Sequence, residues 1–576
     1  MTRRDWVGAG VVAALALGAT VTSIGHDFTF DDRYVILSNE HVHQLRNLLK
    51  LFGETYWPRE LGGDGYRPVV TSLFTLQWVA GGGAPWIFHL VNIVLAVATA
   101  LAVQRCAAAI LPAAAAWAAA ALYAVHPVHV EVTGNVVGQS ELLVALCLTL
   151  AMGIYLRARR RGWLRPRDAA SVLALYAIGL FSKEHAIVLP GLLLAAELTV
   201  IQDGAWRSRV IAMRQFALLI VAVSLTYLFV RGLVQKDFAG FVPYPVFRFL
   251  HMSSADRVAT MMTEIPRIAR LLVFPSHLSG DYSPTEVVVQ KGFDVAQLPG
   301  IFVIAGCVLL AAALRKRAPV VSFGLLWLMI AFLPASNLLL PAGFVTAERT
   351  LFFPSVGVVL IAGAIVVQLM RGPVRGRVAT LAALGVLLTL GLMKSIDRQR
   401  VWKNNDVFFD QLVKDEPNGY RAHFLRGRHI GSHYRRRETE LEYKRAIRLF
   451  PYDVPMMLAI ASDYYRAGMC GPTTALLTWT YAVESRLSEG RYQYVECLAR
   501  LGRWDESRTA ALEALGVASA GEGRRIRGAL VVADSALGRR RWKNRSAQVA
   551  GVSHSAQEAA ISRSAGSAQA GSDDRN

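Results

Sequence analysis

Asp31 and Asp32 stand side by side in Phe28-Thr29-Phe30-Asp31-Asp32, a few residues beyond the first long apolar run of the chain. Adjacent carboxylates held near an interface by aromatic neighbours suit two tasks: taking a proton from an acceptor hydroxyl, or holding a cation. A second group is His126-Pro127-Val128-His129-Val130-Glu131, followed by Gly138-Gln139-Ser140-Glu141 at the head of another apolar run. His126, His129 and Glu131 are of types that bind zinc. Pro127 breaks the helix there and no third histidine is near, so polar contacts to a sugar or an anionic lipid headgroup are expected instead. Tyr66-Arg67-Pro68, Lys183-Glu184-His185, Asp281-Tyr282 and Glu348-Arg349 carry the remaining unusual charges. Arginine offers a fork that fits phosphate, and lysine a point charge. Carboxylates combined with the fixed cations Arg67, Lys183 and Arg349 describe a site for a lipid phosphate and a hydroxylated acceptor. No Gly-rich loop ending in Lys-Ser/Thr occurs, which argues against a nucleotide-driven pump.

These residues must be positioned by an apolar scaffold. Of 576 residues, 53% are hydrophobic and only 18% charged, with a mean hydropathy of +0.35. Soluble domains average about 25% charged residues, so an ordinary soluble enzyme and a disordered chain are both excluded. The apolar residues fall in blocks near the ~20-residue helical span of a bilayer. They run roughly over 1–24, 86–105, 112–125, 136–156, 169–182, 185–201, 214–232, 298–314, 319–334, 352–370 and 378–394, giving about eleven expected spans, of which 112–125 and 169–182 are short. A cleaved signal peptide would resemble the first block, but no small-x-small site precedes His26 and ten further blocks follow. Residues 259–274, interrupted by Pro266 and charges, read as an interfacial or re-entrant helix.

The net charge of +20 is placed by topology rather than by nucleic acid. Arg3/Arg4, Arg105, the six arginines from Arg157 to Arg167, Arg207/Arg209/Arg214, Arg315/Lys316/Arg317 and Arg371/Arg375/Arg377 fall at every second connection. The positive-inside rule then sets the N-terminus in the cytoplasm and the C-terminus outside. All the candidate site residues share the outer face, where ionisable groups at membrane depth are functional by default.

Beyond Lys394 the composition is that of a soluble helical domain. Pro417 and Pro451, like Gly468 and Gly502, are 34 residues apart, and Ala446 and Ala514 are separated by twice that interval. This is the period of tetratricopeptide repeats. The expected organisation is a membrane domain over 1–394, a connector over 395–416, helical repeats over 417–538 and a disordered Ser/Ala/Arg-rich tail over 539–576. Five cysteines form no CxxC pair, so no metal or redox framework follows.

The strings Phe30-Asp31-Asp32, Tyr66-Arg67-Pro68, Phe88-His89-Leu90-Val91-Asn92, His126-Pro127-Val128-His129-Val130-Glu131, Gly138-Gln139-Ser140-Glu141, Lys183-Glu184, Leu278-Ser279-Gly280-Asp281-Tyr282-Ser283, Leu333-Pro334-Ala335-Ser336-Asn337 and Ala347-Glu348-Arg349, in this order and followed by repeats, resemble the transmembrane-and-tetratricopeptide-repeat O-mannosyltransferases among the GT-C glycosyltransferases. The resemblance implies an all-α fold with about eleven to thirteen membrane helices, a lumenal or periplasmic site and a polyprenyl-phosphate sugar, mannose, as donor. It implies that an acidic residue of the first outer loop is the catalytic base. Relatives usually carry arginine where this chain has Gln139, and their repeat arrays are often longer.

On this reading Asp32 or Asp31 deprotonates a Ser or Thr hydroxyl of a protein acceptor, with Asp32 the more severe loss on substitution to Asn. Arg67, Lys183 or Arg349 receives the leaving phosphate, while His126, His129, Glu131, Glu141, Glu184 and Glu348 complete donor binding. No nucleotide or hydride cofactor is implied, and a divalent cation held by the carboxylates stays open. The partners are the lipid-linked donor, membrane lipids and a protein acceptor bound by the repeats, with no nucleic acid. The membrane is the bacterial inner membrane with a periplasmic C-terminus, or the endoplasmic reticulum in a eukaryote. Two rivals remain: an inactive membrane-anchored repeat scaffold, and a transporter of a lipid-linked sugar, for which Glu197 near a span end is the nearest candidate acid. The topology makes a direct prediction. A reporter active only outside the cytoplasm is expected to be active when fused after Trp402 and silent after Arg161, and the reverse pattern would move the proposed site to the wrong face.

Overall fold

The computed structural model describes residues 3–59, 63–202, 205–236, 252–432, 436–518 and 520–569. Among them no strand forms, and two isolated bridges, Tyr282 with Thr346 and Pro284 with Val287, are the remaining sheet-like pairings. The apolar half of the chain is built from α1 (Arg3–Thr20), α2 (Pro68–Gly81), α3 (Pro85–Ala107), α4 (Ala113–Ala124), α5 (Val130–Gly134), α6 (Gln139–Arg160), α7 (Pro166–Ser182), α8 (Leu189–Leu198), α9 (Trp206–Gln235), α10 (Ser254–Val273), α11 (Leu298–Leu314), α12 (Pro319–Phe332), α13 (Ser355–Leu369) and α14 (Val374–Gln399).

Every one of the eleven apolar blocks falls on a helix, because a chain segment in lipid must satisfy its backbone polar groups internally. Among the described residues six helical stretches are long and apolar enough to cross a membrane. A seventh arises if the pair 113–124 and 127–134, bent by 51° at Pro127, counts as one broken span. The other four blocks form α7, α8, α12 and α13, of 17, 10, 14 and 15 residues, too short to span alone. The protein is a multi-pass membrane protein.

Small residues set the packing at its centre. Six alanines of α4, including Ala116, Ala119 and Ala120, are buried where the helix meets α1, α3 and α13, the kind of surface that lets helix backbones approach closely in lipid. At the inner end, Glu197 is enclosed by Arg159 (2.6 Å), the Tyr155 hydroxyl (2.7 Å) and Arg209 (3.3 Å). It is committed to a structural ion cluster rather than exposed along a pathway. The amphipathic stretch after residue 252 is the 20-residue α10, opened by a capping box between Ser253 and Asp256 and continuing through Pro266.

The chain divides into two compact units, 1–450 and 451–576. The first continues beyond α14 through α15 (Asn405–Asp415), α16 (Tyr420–Gly431) and α17 (Arg436–Leu449). The second contains α18 (Val454–Arg466), α19 (Cys470–Val483), α20 (Arg491–Arg500), α21 (Trp504–Leu515) and α22 (Ala520–Gln569). The second helices of successive hairpins begin at Arg436, Cys470 and Trp504, 34 residues apart each time. Gly468 and Gly502 sit in the hairpin turns with φ of +74° and +73°, a conformation that costs an L side chain about 1–2 kcal/mol. Ala446 and Ala514, one of the sequence pairs at this period, are both fully buried.

Two expectations for this region change. The tail from Arg539 was expected without structure, whereas its described residues continue α22 as helix to Gln569, consistent with an Ala- and Arg-rich composition of good helix formers. Cys470 and Cys497, read as carrying no redox framework, form a disulfide that joins consecutive hairpins. Such a bond persists in an oxidising compartment, in accord with a C-terminal region outside the cytoplasm. Thiol titration of the denatured, unreduced chain is expected to find three reactive cysteines (Cys106, Cys147 and Cys307), and five after reduction.

Candidate functional site

After α1 the chain turns at His26 into the loop that carries the two aspartates, and the segment following α14 grips this loop. Asp27 N donates to Lys403 O (2.9 Å), Thr29 Oγ1 to Trp402 O (3.1 Å) and Phe30 N to Asn405 Oδ1 (2.7 Å). The Phe30 ring stacks on Phe408, with centroids 5.2 Å apart, and meets Phe409 edge-on. Phe30 has φ of +56°, an unfavourable backbone for a bulky residue that these contacts over-determine. The chain reversal there sends the two following carboxylates into unlike surroundings.

Asp32 is fully buried and its oxygens are occupied. Oδ2 accepts from Thr29 N (3.2 Å) and Val136 N (3.1 Å), and Oδ1 from Val137 N (2.8 Å). Burial pushes its pKa up to about 7, against the opposing pull of the three amides. The contact ties the first outer loop to the turn that leads into α6 and Glu141. Asp31 is half-buried, and among the described residues its carboxylate receives no hydrogen bond. Burial raises its pKa, while the charges of Arg349, Arg421 and Arg67 act to lower it and Asp281 to raise it.

The cations around Asp31 are held by carboxylates from other elements. Arg349 Nη1 lies 2.6 Å from Glu131 Oε1, and its backbone N–H donates to Oε2 at 2.8 Å. Lys183, just past α7, pairs with the buried Glu141 at 2.5 Å, and His185 approaches the same carboxylate at 3.3 Å. Arg67, the residue before α2, lies 3.3 Å from Glu184 and 4.4 Å above the Tyr56 ring. Burial, the largest influence, would raise the Glu184 carboxyl, but the Arg67 guanidinium, backbone amides and Lys183 together outweigh it and hold it down at about 2. Seven of the residues expected from sequence, Asp31, Arg67, Glu131, Glu141, Lys183, Glu184 and Arg349, thus belong to one electrostatic cluster.

Glu348 stands at its edge. Its Oε1 accepts from Ser279 N (2.6 Å) and the Tyr282 hydroxyl (2.7 Å), and burial pushes its pKa up to about 8 despite the nearby Arg398. The two histidines have other employment. His126 Nε2 bonds Leu272 O (3.0 Å) and His129 Nε2 bonds Ser355 Oγ (2.9 Å). The His129 ring packs between Tyr123 and Phe352, with centroids 4.4 and 4.5 Å away. Both line a partly open space of about 20 Å³ next to Ala16 and Ala100, room for about one water. Among the described residues no group of three or more His, Cys, Asp and Glu is arranged to hold a metal ion.

Sequence reasoning did not reach Tyr56, Arg398 or Arg421. Arg421 follows the connector and looks like any other arginine of the repeat region. Only the fold brings it to Asp281, at 3.2 Å, and to Asp31. Chemically, the cluster offers a half-buried carboxylate that receives no hydrogen bond among the described residues, with Arg349, Arg421 and Arg67 acting on it. It can accept a proton and offset the charge of an anion formed beside it.

No family model matches the chain. It is 25% identical over 454 residues to a protein O-mannosyl-transferase of Caenorhabditis elegans, covering 77% of this chain and 62% of that protein. It is 26% identical over 537 residues to the protein O-mannosyl-transferase Tmtc3 of Drosophila melanogaster, covering 74% and 57%. A shorter stretch of 187 residues is 37% identical to Tmtc2 of the same fly, covering 30% and 20%. Over their long alignments, the chain spans about three fifths of the length of these curated relatives. Among solved structures it is similar to an oligosaccharyltransferase of Archaeoglobus fulgidus tethered to an acceptor peptide, with a TM-score of 0.43 and 14% identity over 72% of this chain and 57% of that one.

The unlike surroundings of the two aspartates predict unlike effects on stability. In Asp32→Asn one orientation of the amide takes the acceptor from Thr29 N and Val136 N, and the other takes it from Val137 N, which keeps Asn135 Oδ1 at 3.2 Å, so a loss of about 1 kcal/mol is expected. In Asp31→Asn a carboxylate whose charge is disfavoured by burial is neutralised, and the unfolding midpoint is expected to hold or rise. Thermal unfolding of the two variants in detergent at pH 8 checks both.

Proposed function

We propose that this chain is a membrane glycosyltransferase that moves a sugar from a polyprenyl-phosphate donor to Ser or Thr hydroxyls of a protein acceptor on the outer face. The relatives' names favour mannose. The observation that carries the reading is Asp31, a half-buried carboxylate with unoccupied oxygens beside Arg67 and Arg349.

Asp31 is the general base. Its carboxylate takes the proton of the acceptor hydroxyl as that oxygen attacks the anomeric carbon. The bond between that carbon and the phosphate oxygen breaks, and its electron pair leaves with the lipid phosphate. Arg67, Arg349 and Lys183 offset the charge that forms on the leaving oxygen. Each keeps its own carboxylate partner (Glu184, Glu131 and Glu141), so the cations are pre-positioned before the reaction starts. Burial brings Asp31 closer to the basicity its task needs, since a carboxylate of ordinary pKa is a weak base toward a hydroxyl. Asp32 serves as a positioning residue, because its two oxygens already accept three backbone amides. His126 and His129 hold the helices behind the site and take no part in donor binding.

Purified protein incubated with polyprenyl-phosphate-mannose and a Ser/Thr-rich acceptor is expected to release polyprenyl phosphate and glycosylate the acceptor. Asp31→Asn is expected to lose roughly 10²- to 10⁴-fold in transfer rate while still binding donor. Folded Asp32→Asn should retain a larger share of activity. Near-normal transfer by Asp31→Asn would remove the base assignment, and no release by the wild-type protein would remove the reaction.

A further inference from the structure

The Asp31 loop is enclosed by residues that lie beyond the last apolar helix, and one of them is charged. Four contacts fasten the start of the soluble region to the loop after α10, and a fifth joins it to the end of α14. Arg398 pairs with Asp415 at 2.5 Å, His277 Nε2 bonds Asp415 O at 3.1 Å, and Asn418 N donates to Glu286 Oε1 at 3.0 Å. The Thr285 hydroxyl donates to Asn418 O, and Arg421 Nη1 lies 3.2 Å from Asp281 Oδ1. The aromatic grip of Phe408 and Phe409 on Phe30 comes from the same side. The junction therefore sets α16 so that its second residue, Arg421, faces the outer loops. Oδ2 of Asp281 is buried without a hydrogen bond, so the pair is not a saturated structural bridge.

We propose that Arg421 is a positioning residue of the reaction site: with Arg67 and Arg349 it surrounds Asp31 with positive charge, which makes the first soluble helices part of the catalytic unit rather than a separable acceptor-docking module. The inference rests on the reading of Asp31 as the base. The titratable and charged groups that act on or respond to Asp31 are Arg67 and Tyr56 from the first outer loop region, Asp32 beside it, Glu131 from α5, Asp281 from the loop after α10, Arg349 before α13, and Arg421 from α16. Three cations favour the ionised carboxylate, and Asp281, Asp32 and Glu131 oppose it. A base must be ionised to act, so loss of one cation makes Asp31 hold its proton to higher pH, and loss of one neighbouring anion does the reverse.

The test is the pH dependence of kcat in the full-length protein with polyprenyl-phosphate-mannose as donor. Arg421→Gln is expected to move the acid limb of the profile to higher pH, with a fold-loss relative to wild type that is greater at pH 6 than at pH 8. Arg421→Lys, which restores the charge, should return the limb toward its original place. Asp281→Asn carries the same test with opposite sign, moving the limb to lower pH, and stands in where Arg421→Gln does not fold. An acid limb unmoved in the folded variants, or a loss equal at all pH values and not rescued by lysine, would overturn the proposal and leave the base assignment standing. A wild-type protein that transfers no sugar would overturn both.

Discussion

The arrangement of the outer face depends on a buried carboxylate and three amide hydrogens. Asp32 joins a loop that begins at residue 26 to a turn more than a hundred residues later, and it does so with no side-chain partner. Backbone N–H groups at the start of a helical segment have no intrahelical acceptor and must find one elsewhere. In a site removed from water that acceptor has to come from the protein. Asp32 supplies it, and Asp31 is thereby placed one peptide unit away with its own carboxylate left over. The unfavourable φ of Phe30 fits the same account, since the reversal there is what allows neighbouring residues to face different ways.

Around Asp31, every cation expected from sequence is already paired with an acid from another segment. Isolated buried charges are costly, and an ion pair recovers that cost only with good geometry and further hydrogen bonds. The Glu131–Arg349 and Glu184–Arg67 pairs both have them, through the amides of Arg349 and Tyr66. The consequence is a wall of fixed positive charge that needs no reorganisation when an anion forms. Asp31 is the exception. Its half-buried carboxylate receives no hydrogen bond among the described residues, and burial raises its pKa against the pull of three arginines.

Much of this was legible in the residues. The apolar blocks had to be helices because lipid offers no partner for the backbone, and the 34-residue spacing of Gly468 and Gly502 marked turns that need positive φ. Seven of the charged residues named from their motifs come together in one electrostatic cluster. What the sequence could not separate was Asp31 from Asp32, which are identical in type and adjacent, and differ only in partners contributed by residues 136 and 137. His126 and His129 show a related ambiguity: imidazole serves equally as a ligand and as a hydrogen-bonded packing group, and their partners Leu272 O and Ser355 Oγ come from segments far along the chain. Cys470 and Cys497 lie 27 residues apart on helices of consecutive hairpins, a proximity that appears only once the hairpins stack.

Arg421 lies beyond the boundary that composition sets and pairs with Asp281 of a loop between apolar helices. Hydropathy separates what sits in lipid from what does not, so it sets a boundary near Lys394. Chemistry at an interface obeys a different rule, because the reacting groups lie outside the apolar core and are open to contribution from either side. Once Trp402, Asn405 and Phe408 hold the Asp31 loop, the segment after α14 is bound to the outer loops before the first helical hairpin begins. An arginine on that hairpin then meets the site as directly as one on a loop between membrane helices. Hydropathy alone therefore does not show which side of that boundary a charged residue near the Asp31 loop comes from.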